Sequence, residues 1–171
     1  MKNAVLVVTV SGEDRAGLVS ELSETVAKVK GNWERSRMLN LSGRFVGLLE
    51  IHVSEEHVQE LEDRLAGMKD LEMTMARGKG ADKPGRSFEL EVMGTDAPGI
   101  VHDVFSVLAE RGVNVELLST RTEAAADSGT TLFRAQARLA PLDPGVEIES
   151  LQASLEAIAP DLMVRIHSAE E

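Results

Sequence analysis

The chain has 171 residues, a length that suits one mid-sized domain or two small ones. It contains no cysteine, which excludes a disulfide framework, a thiolate metal site and a cysteine nucleophile. Its formal net charge of −11 repels phosphate backbones and anionic lipid, so the composition argues against direct binding to nucleic acid or to membranes.

The first predicted element is a β-rich run at residues 5–10. The apolar stretch after Lys2 mimics a short signal peptide, but the chain turns polar at 12–15 and shows no small-residue cleavage site. A counterpart of the same run lies at 88–93, where no signal could act. No stretch approaches the roughly 20 apolar residues of a membrane span. We therefore predict a cytoplasmic protein.

The second half of the chain repeats the first at an offset of 82 residues, with residues 6–37 aligned on 88–119. Eight of these 32 positions are identical: Val10/Val92, Gly12/Gly94, Asp14/Asp96, Gly17/Gly99, Val19/Val101, Ala27/Ala109, Asn32/Asn114 and Glu34/Glu116. A Gly- and Lys-containing segment without apolar anchors separates the copies. The predicted domains are thus 1–77 and 87–171, joined by an exposed linker at 78–86.

Both copies predict the same order of elements. A strand and a glycine-containing turn come first, then an amphipathic helix that stops near Gly31 or Gly112 and a strand that begins at Asn32 or Asn114. A third strand alternates, and the expected second helices and last strands are about 55–67 and 147–158, and 71–76 and 162–167. The order βαββαβ, twice, predicts an α+β fold of two tandem ferredoxin-like sandwiches, each an antiparallel sheet with both helices on one face.

The most informative motif is G-x-D-x-x-G-[LI]-V, at 12–19 and again at 94–101. In a structural interpretation, Asp14 or Asp96 caps the helix, Pro98 lies in the first helical turn and the glycines relieve crowding. In a functional interpretation, the helix N-terminus presents free N–H groups and a positive dipole end to a carboxylate. The residues alone favour the structural interpretation.

No catalytic constellation is evident. His52 and His57 lie near Glu55 and Glu56, but one is expected on a strand and the others at the start of a helix, which is typical of a solvated turn. His102 has no paired nucleophile. We predict that the protein is not an enzyme and that it has no metal site and no cofactor.

With this motif repeated inside a βαββαβ unit, the chain resembles tandem ACT-domain proteins, and in particular the glycine cleavage system transcriptional repressor family. Segments 32–38, 45–49, 112–114 and 118–122 also fit that family. ACT loops often read Asp-Arg-Pro-Gly; the first copy has Ala16 at the proline position, and the second has Ala97 at the arginine position.

The resemblance implies a small-molecule sensor that binds an amino acid with the loop after the first strand and the start of the second strand. Carried over to this chain, the ligand-binding residues are Asp14, Arg15, Gly17, Leu18, Asn32, Asp96, Pro98, Gly99, Ile100 and Asn114. It further implies a transcriptional regulator that responds to glycine or another amino acid. Such a protein contacts a LysR-type transcription factor rather than DNA, and a homodimer is compatible with this interpretation.

Two other functions remain open. One is a detached ACT regulatory subunit of an amino-acid biosynthetic enzyme. The other is an RNA-recognition module, which shares the βαββαβ order but needs basic and aromatic residues on its central strands. Only 44–45 and 133–134 offer such residues, which makes the RNA-recognition module the weaker alternative.

Overall fold

The computed structural model describes residues 3–79, 86–126 and 129–169. The chain divides into two compact units, unit 1 at Met1–Asp82 and unit 2 at Lys83–Glu171. Most of the linker predicted at 78–86 lies outside the described residues.

Unit 1 is a four-stranded antiparallel sheet with two helices. Its elements are β1 (Asn3–Glu13), α1 (Leu18–Lys28), β2 (Asn32–Leu41), β3 (Arg44–Ser54), α2 (Val58–Ala66) and β4 (Leu71–Arg77). A single 3₁₀ turn at Glu55–His57 precedes the second helix. The strands stand in the order β2-β3-β1-β4, so β1 and β3 are central and β2 is an edge.

Unit 2 repeats this topology with the elements β5 (Phe88–Thr95), α3 (Ile100–Glu110), β6 (Val113–Ala124), β7 (Thr131–Pro141), α4 (Ile148–Glu156) and β8 (Met163–Ser168). Its strand order is β6-β7-β5-β8. The predicted fold, two tandem ferredoxin-like βαββαβ sandwiches, is confirmed.

Each unit has its own core between the sheet and the helices. The buried residues of both cores recur at the spacings typical of strands and helices. The predicted alternation of the third strand is confirmed, because every second residue from Phe45 to Val53 and from Phe133 to Leu139 is buried. The first helices bury residues spaced by four, Leu18, Leu22 and Val26 in α1 and Ile100, Val104 and Leu108 in α3.

Some element ends differ from the sequence expectation. The second helix of unit 1 begins at Val58, because 55–57 form the 3₁₀ turn, and β6 begins one residue before Asn114. After α1 the left-handed residue is Lys30 (φ 55°) rather than Gly31. Gly31 is nevertheless closely packed, because a Cβ there would lie 3.0 Å from Cγ1 of Val26.

Candidate functional site

The loop between the first strand and the first helix has the same backbone in both units. Gly17 and Gly99 are the helix N-caps, with φ values of 94° and 92°. A Cβ at either glycine would meet nothing closer than 3.6 Å. The left-handed backbone therefore requires glycine here. The prediction that the motif glycines relieve crowding is wrong for Gly17 and Gly99 but is confirmed for Gly12 and Gly94, where a Cβ would lie 2.7 and 2.8 Å from its nearest neighbour.

The predicted capping by aspartate is also wrong, since neither helix receives a side-chain cap. Asp14 instead accepts a hydrogen bond from Nδ2 of Asn40 at 2.5 Å. Pro98 lies in the turn before Gly99 rather than in the first turn of α3. The first N–H groups of each helix consequently lack a side-chain acceptor from the loop.

The structure separates the predicted ligand-binding residues into two groups at opposite ends of each sheet. In unit 1, Asp14, Arg15, Gly17 and Leu18 follow the C-terminal end of β1. Asn32 is paired through His52 to Val5, near the start of β1. Eight strand residues separate that level from the end of β1, a distance of about 26 Å.

Unit 2 divides in the same way. Asp96, Pro98, Gly99 and Ile100 lie together, while Asn114 pairs with Ala140 at the far end of the sheet. The strands β2 and β6 run in the same direction as the first strand of their unit. Their C-terminal ends, not their starts, therefore approach the loop.

A surface cleft of about 310 Å³ lies between this loop and the edge strand in unit 2. Thr120 and Thr122 of β6 line it opposite the loop, and both side chains are exposed. Its other lining residues are Asp96, Ala97, Gly99, Ile100, Val101, Arg121 and Phe133. The cleft thus combines a helix N-terminus, a carboxylate and two hydroxyls, while the Arg121 guanidinium donates to Glu123 on the opposite face of β6.

The strand pairing identifies the unit 1 counterparts of this cleft wall. Met38 of β2 corresponds to Thr120 of β6, because Met38 pairs with Gly47 on β3 and Thr120 pairs with Ala135 at the same position of β7. The Met38 side chain packs against the unit 1 core, with its Cγ 3.0 Å from where a Cβ on Gly47 would lie. Asn40 replaces Thr122 and is bonded to Asp14. In unit 1, core packing and a hydrogen bond therefore engage both residues.

Ion pairs between Arg15 and two acidic residues also stabilise the conformation of the unit 1 loop. The Arg15 guanidinium donates to both carboxylate oxygens of Glu21, at 2.6 and 2.8 Å, and to Oδ2 of Asp70 at 3.2 Å. These contacts raise the pKa of Arg15, and the hydrogen bond from Arg15 lowers the pKa of Glu21. Unit 2 has Ala97 in place of Arg15 and lacks this pairing.

In unit 2 the residue matching Asp70 has a different partner. Oδ2 of Asp161 accepts a hydrogen bond from the Thr95 backbone N–H at 2.9 Å, and hydrogen bonding from the Thr95 side chain and backbone lowers the pKa of Asp161. The hydrogen bond between Thr95 and Asp161 links the end of β5 to the turn before β8. It involves no side chain of the loop at 96–99.

The residues at the far end of unit 1 form a separate group. His52 lies between two carboxylates, with Nε2 3.0 Å from Oε1 of Glu50 and Nδ1 3.5 Å from Oε1 of Glu34. Across residues 3–79, 86–126 and 129–169, no three His, Asp or Glu side chains converge as a metal site would require. No helix within those ranges has the length and apolar character needed to cross a membrane.

Family models match both halves of the chain. One ACT-domain model covers residues 4–76, and a second ACT-domain model covers 88–135. Together they account for well over half of the sequence.

Two crystal structures resemble the whole chain. A protein of unknown function from Galdieria sulphuraria is 28% identical, with a TM-score of 0.86 over 99% of this chain and 100% of that one. A candidate glycine cleavage system transcriptional repressor is 24% identical, with a TM-score of 0.71 over 100% of both chains. The second likeness shows the fold alone. Among curated proteins, none matches the chain.

Proposed function

This chain belongs to the ACT-domain family, with one domain in each half, and we propose that it is an amino-acid-responsive regulator of transcription that acts through protein contact. A regulatory, amino-acid-sensing role is the general property of such domains. The transcriptional output is the more specific part of the proposal, and the similarity in fold to the candidate repressor supports it.

The observation that carries the sensing role is the chemistry of the unit 2 cleft. A free amino acid is a zwitterion with a carboxylate and an ammonium close together. The N-terminus of α3 offers N–H donors and a positive dipole end to the carboxylate, and Asp96 offers an anionic partner to the ammonium. Thr120 and Thr122 add hydroxyls that both donate and accept. A volume of about 310 Å³ accommodates a small amino acid such as glycine.

Unit 2, rather than unit 1, is the sensing unit in this proposal. Met38 and Asn40 are already engaged in unit 1, and Arg15 holds its loop against Glu21 and Asp70. Opening that loop to a ligand would require breaking these contacts, whereas the unit 2 loop has no such network. The proposed ligand-binding residues are Asp96, Gly99, Ile100, Thr120 and Thr122.

The sensing proposal is tested by thermal unfolding with each of the twenty amino acids. A ligand present at one hundred times its dissociation constant adds roughly 2.7 kcal/mol to stability. Thr120→Met places a methionine where unit 1 has Met38, and it should abolish the shift in unfolding temperature. Thr120→Ser keeps the hydroxyl and should retain that shift. The absence of any shift with the wild-type protein, or an undiminished shift with Thr120→Met, would contradict the proposal.

The proposed output is contact with a transcription factor of the LysR type, in response to glycine or a related amino acid. Direct DNA reading is disfavoured by the net charge of −11. A pulldown with and without the amino acid should recover such a factor in a ligand-dependent way. Recovery of a biosynthetic enzyme instead would assign the protein as a detached regulatory subunit, and sequence-specific DNA binding by the isolated protein would overturn the indirect role.

A further inference from the structure

The two units differ on the outer face of the sheet, which is the face turned away from the helices. In the middle of the central strands of unit 1, three facing outward pairs contain one charged residue: Val7 with Glu50, Thr9 with Leu48, and Ser11 with Val46. The corresponding pairs of unit 2 contain four charged residues: Glu89 with Arg138, Glu91 with Gln136, and Met93 with Arg134.

The outer face of unit 2 carries the charge pattern of a sheet that faces water. Arg138 pairs across the strands with Glu89 at 2.9 Å, and Glu123 accepts hydrogen bonds from Arg134 and Arg121. Cross-strand pairs of this kind stabilise a solvated sheet face.

The outer face of unit 1 has instead an apolar centre that extends onto the edge strand. Leu39, Leu41 and Leu48 are 53%, 67% and 49% exposed. The register places Leu39 beside Val46, and Leu48 beside Thr9. An apolar centre with charges confined to its margin is the usual composition of a protein interface.

Glu50 on β3 is paired with Arg35 on β2 at 2.6 Å, and the remaining marginal charges on this face are divided by sign. Arg37 and Arg44 lie on the β2 and β3 side, and Glu13 and Glu72 lie on the β1 and β4 side. Within the described part of the chain, neither arginine has an acidic partner within 4 Å. The face is therefore basic on one flank, acidic on the other and apolar between them.

This pattern is self-complementary. A twofold axis parallel to the strands brings the β2 and β3 flank of one copy over the β4 and β1 flank of the other, so that basic residues face acidic ones. A twofold axis perpendicular to the strands would place β2 over β2 and bring Arg37 of each copy together. We propose that the outer sheet face of unit 1 binds a second copy of this chain, face to face, about the strand-parallel twofold axis.

The area of the face sets the expected strength of this association. Four strands spaced about 4.8 Å apart, with four outward rows about 6.6 Å apart, give roughly 500 Å² per copy. Stable interfaces bury about 800 Å² per partner, so this contact falls in the range of weak or transient complexes. The dimer should consequently form in a concentration-dependent way, and its affinity should fall as salt is raised.

The decisive measurement is sedimentation velocity of the full chain over a wide range of concentration. Wild-type protein should shift from monomer to dimer, and Leu48→Glu should weaken the dimer at least about tenfold by placing a charge at its apolar centre. Met163→Glu is the matched control, because Met163 is 57% exposed on the outer face of unit 2 and should leave the affinity unchanged. Circular dichroism of each variant establishes that it is folded.

Charge reversal tests the orientation. Arg44→Glu and Glu13→Arg should each weaken the dimer, and the double variant should recover affinity, because each reversed residue again faces an opposite charge in the other copy. A wild-type chain that stays monomeric at every concentration would overturn the proposal, as would a dimer indifferent to Leu48→Glu or not rescued by the double reversal. The amino-acid shift in thermal unfolding tests a different site, so either proposal can fail without the other.

Discussion

The loops of the two units share one backbone but differ in what surrounds it. Gly17 and Gly99 have φ values within 2° of each other, and both helices start directly after them. Around this common loop, unit 1 places Met38, Asn40 and Arg15 in contacts within the unit, while unit 2 places two threonines and an alanine. The comparison shows that the fixed residues of the motif specify the turn, and that its variable positions and the edge strand determine whether a cleft is left open.

The largest expected difference concerns the glycine that opens the motif. A Cβ on Gly12 would lie 2.7 Å from the carbonyl oxygen of Asp70, whereas one on Gly94 would first meet Cδ1 of Leu162, at 2.8 Å. A side-chain tip can rotate away, but the backbone oxygen of Asp70, in the turn directly before β4, can move only if the chain itself shifts. Gly12→Ala should destabilise the protein by about 3 kcal/mol and Gly94→Ala by about 1 kcal/mol, measured by urea unfolding. Equal costs would show that the first strand of unit 1 can shift away from Asp70.

Much of the fold could be predicted from the sequence, because the repeat supplied each signal twice. The alternation through Phe45 and Phe133 identified the third strands, and the spacing from Leu18 and Ile100 identified the first helices. These are local periodicities, which burial on one face imposes directly on the sequence.

The candidate site was harder to predict because it depends on contacts between distant segments. Asn32 and Asn114 are identical in the repeat, yet both lie at the sheet end opposite the loop. Only the relative direction of the first two strands of a unit shows that Asn40 and Thr122 are the residues near the loop. The spacing of Asp14 likewise suited a helix cap, but its carboxylate bonds to Asn40, which lies 26 residues further along the chain.

The motif glycines at the helix N-caps should behave alike in the two units. Gly17→Ala and Gly99→Ala each force a Cβ into a left-handed conformation, with open space around it. Each should cost about 1 to 2 kcal/mol in unfolding free energy, and the two values should agree closely. A much larger cost at one position would mean that its loop is more constrained than the shared backbone indicates. Amino-acid binding to Gly17→Ala should be unchanged, since the proposed site lies in unit 2.

Exchanging the corresponding residues Met38 and Thr120 should affect different properties in the two units, the stability of unit 1 and ligand binding by unit 2. Met38→Thr removes part of a half-buried side chain from the unit 1 core and should cost about 1 kcal/mol, the value of roughly one buried methylene. Thr120→Met should be close to neutral for stability, because Thr120 is exposed, while it fills the cleft. Calorimetric titration with the amino acid found in the thermal screen separates the effects. Retained binding in Thr120→Met would place the ligand elsewhere.

The smallest expected effect concerns Arg15, and it should appear as a change in pH dependence. The hydrogen bond from Arg15 lowers the pKa of Glu21 in the folded protein. A carboxyl with a depressed folded pKa adds stability that is present above its unfolded pKa of about 4.3 and is lost as the pH falls through the folded value. Arg15→Gln should therefore be slightly less stable than wild type at pH 7. The difference should shrink as the pH falls below the unfolded pKa of about 4.3, and it should disappear below the lowered folded pKa, where Glu21 is protonated in both proteins.

Arg111 provides the control that isolates this charge effect, because its guanidinium also bridges two side chains but both are neutral. It donates to the hydroxyls of Ser150 and Ser154, at 3.2 and 2.7 Å. Arg111→Gln should cost the same amount at pH 7 and at pH 3.5, since neither serine titrates in that range. If the effect of Arg15→Gln were also constant across this range, the contacts of Arg15 with Glu21 and Asp70 would contribute as packing rather than as ion pairs. The unit 1 loop would then owe its closed state to Met38 and Asn40 alone.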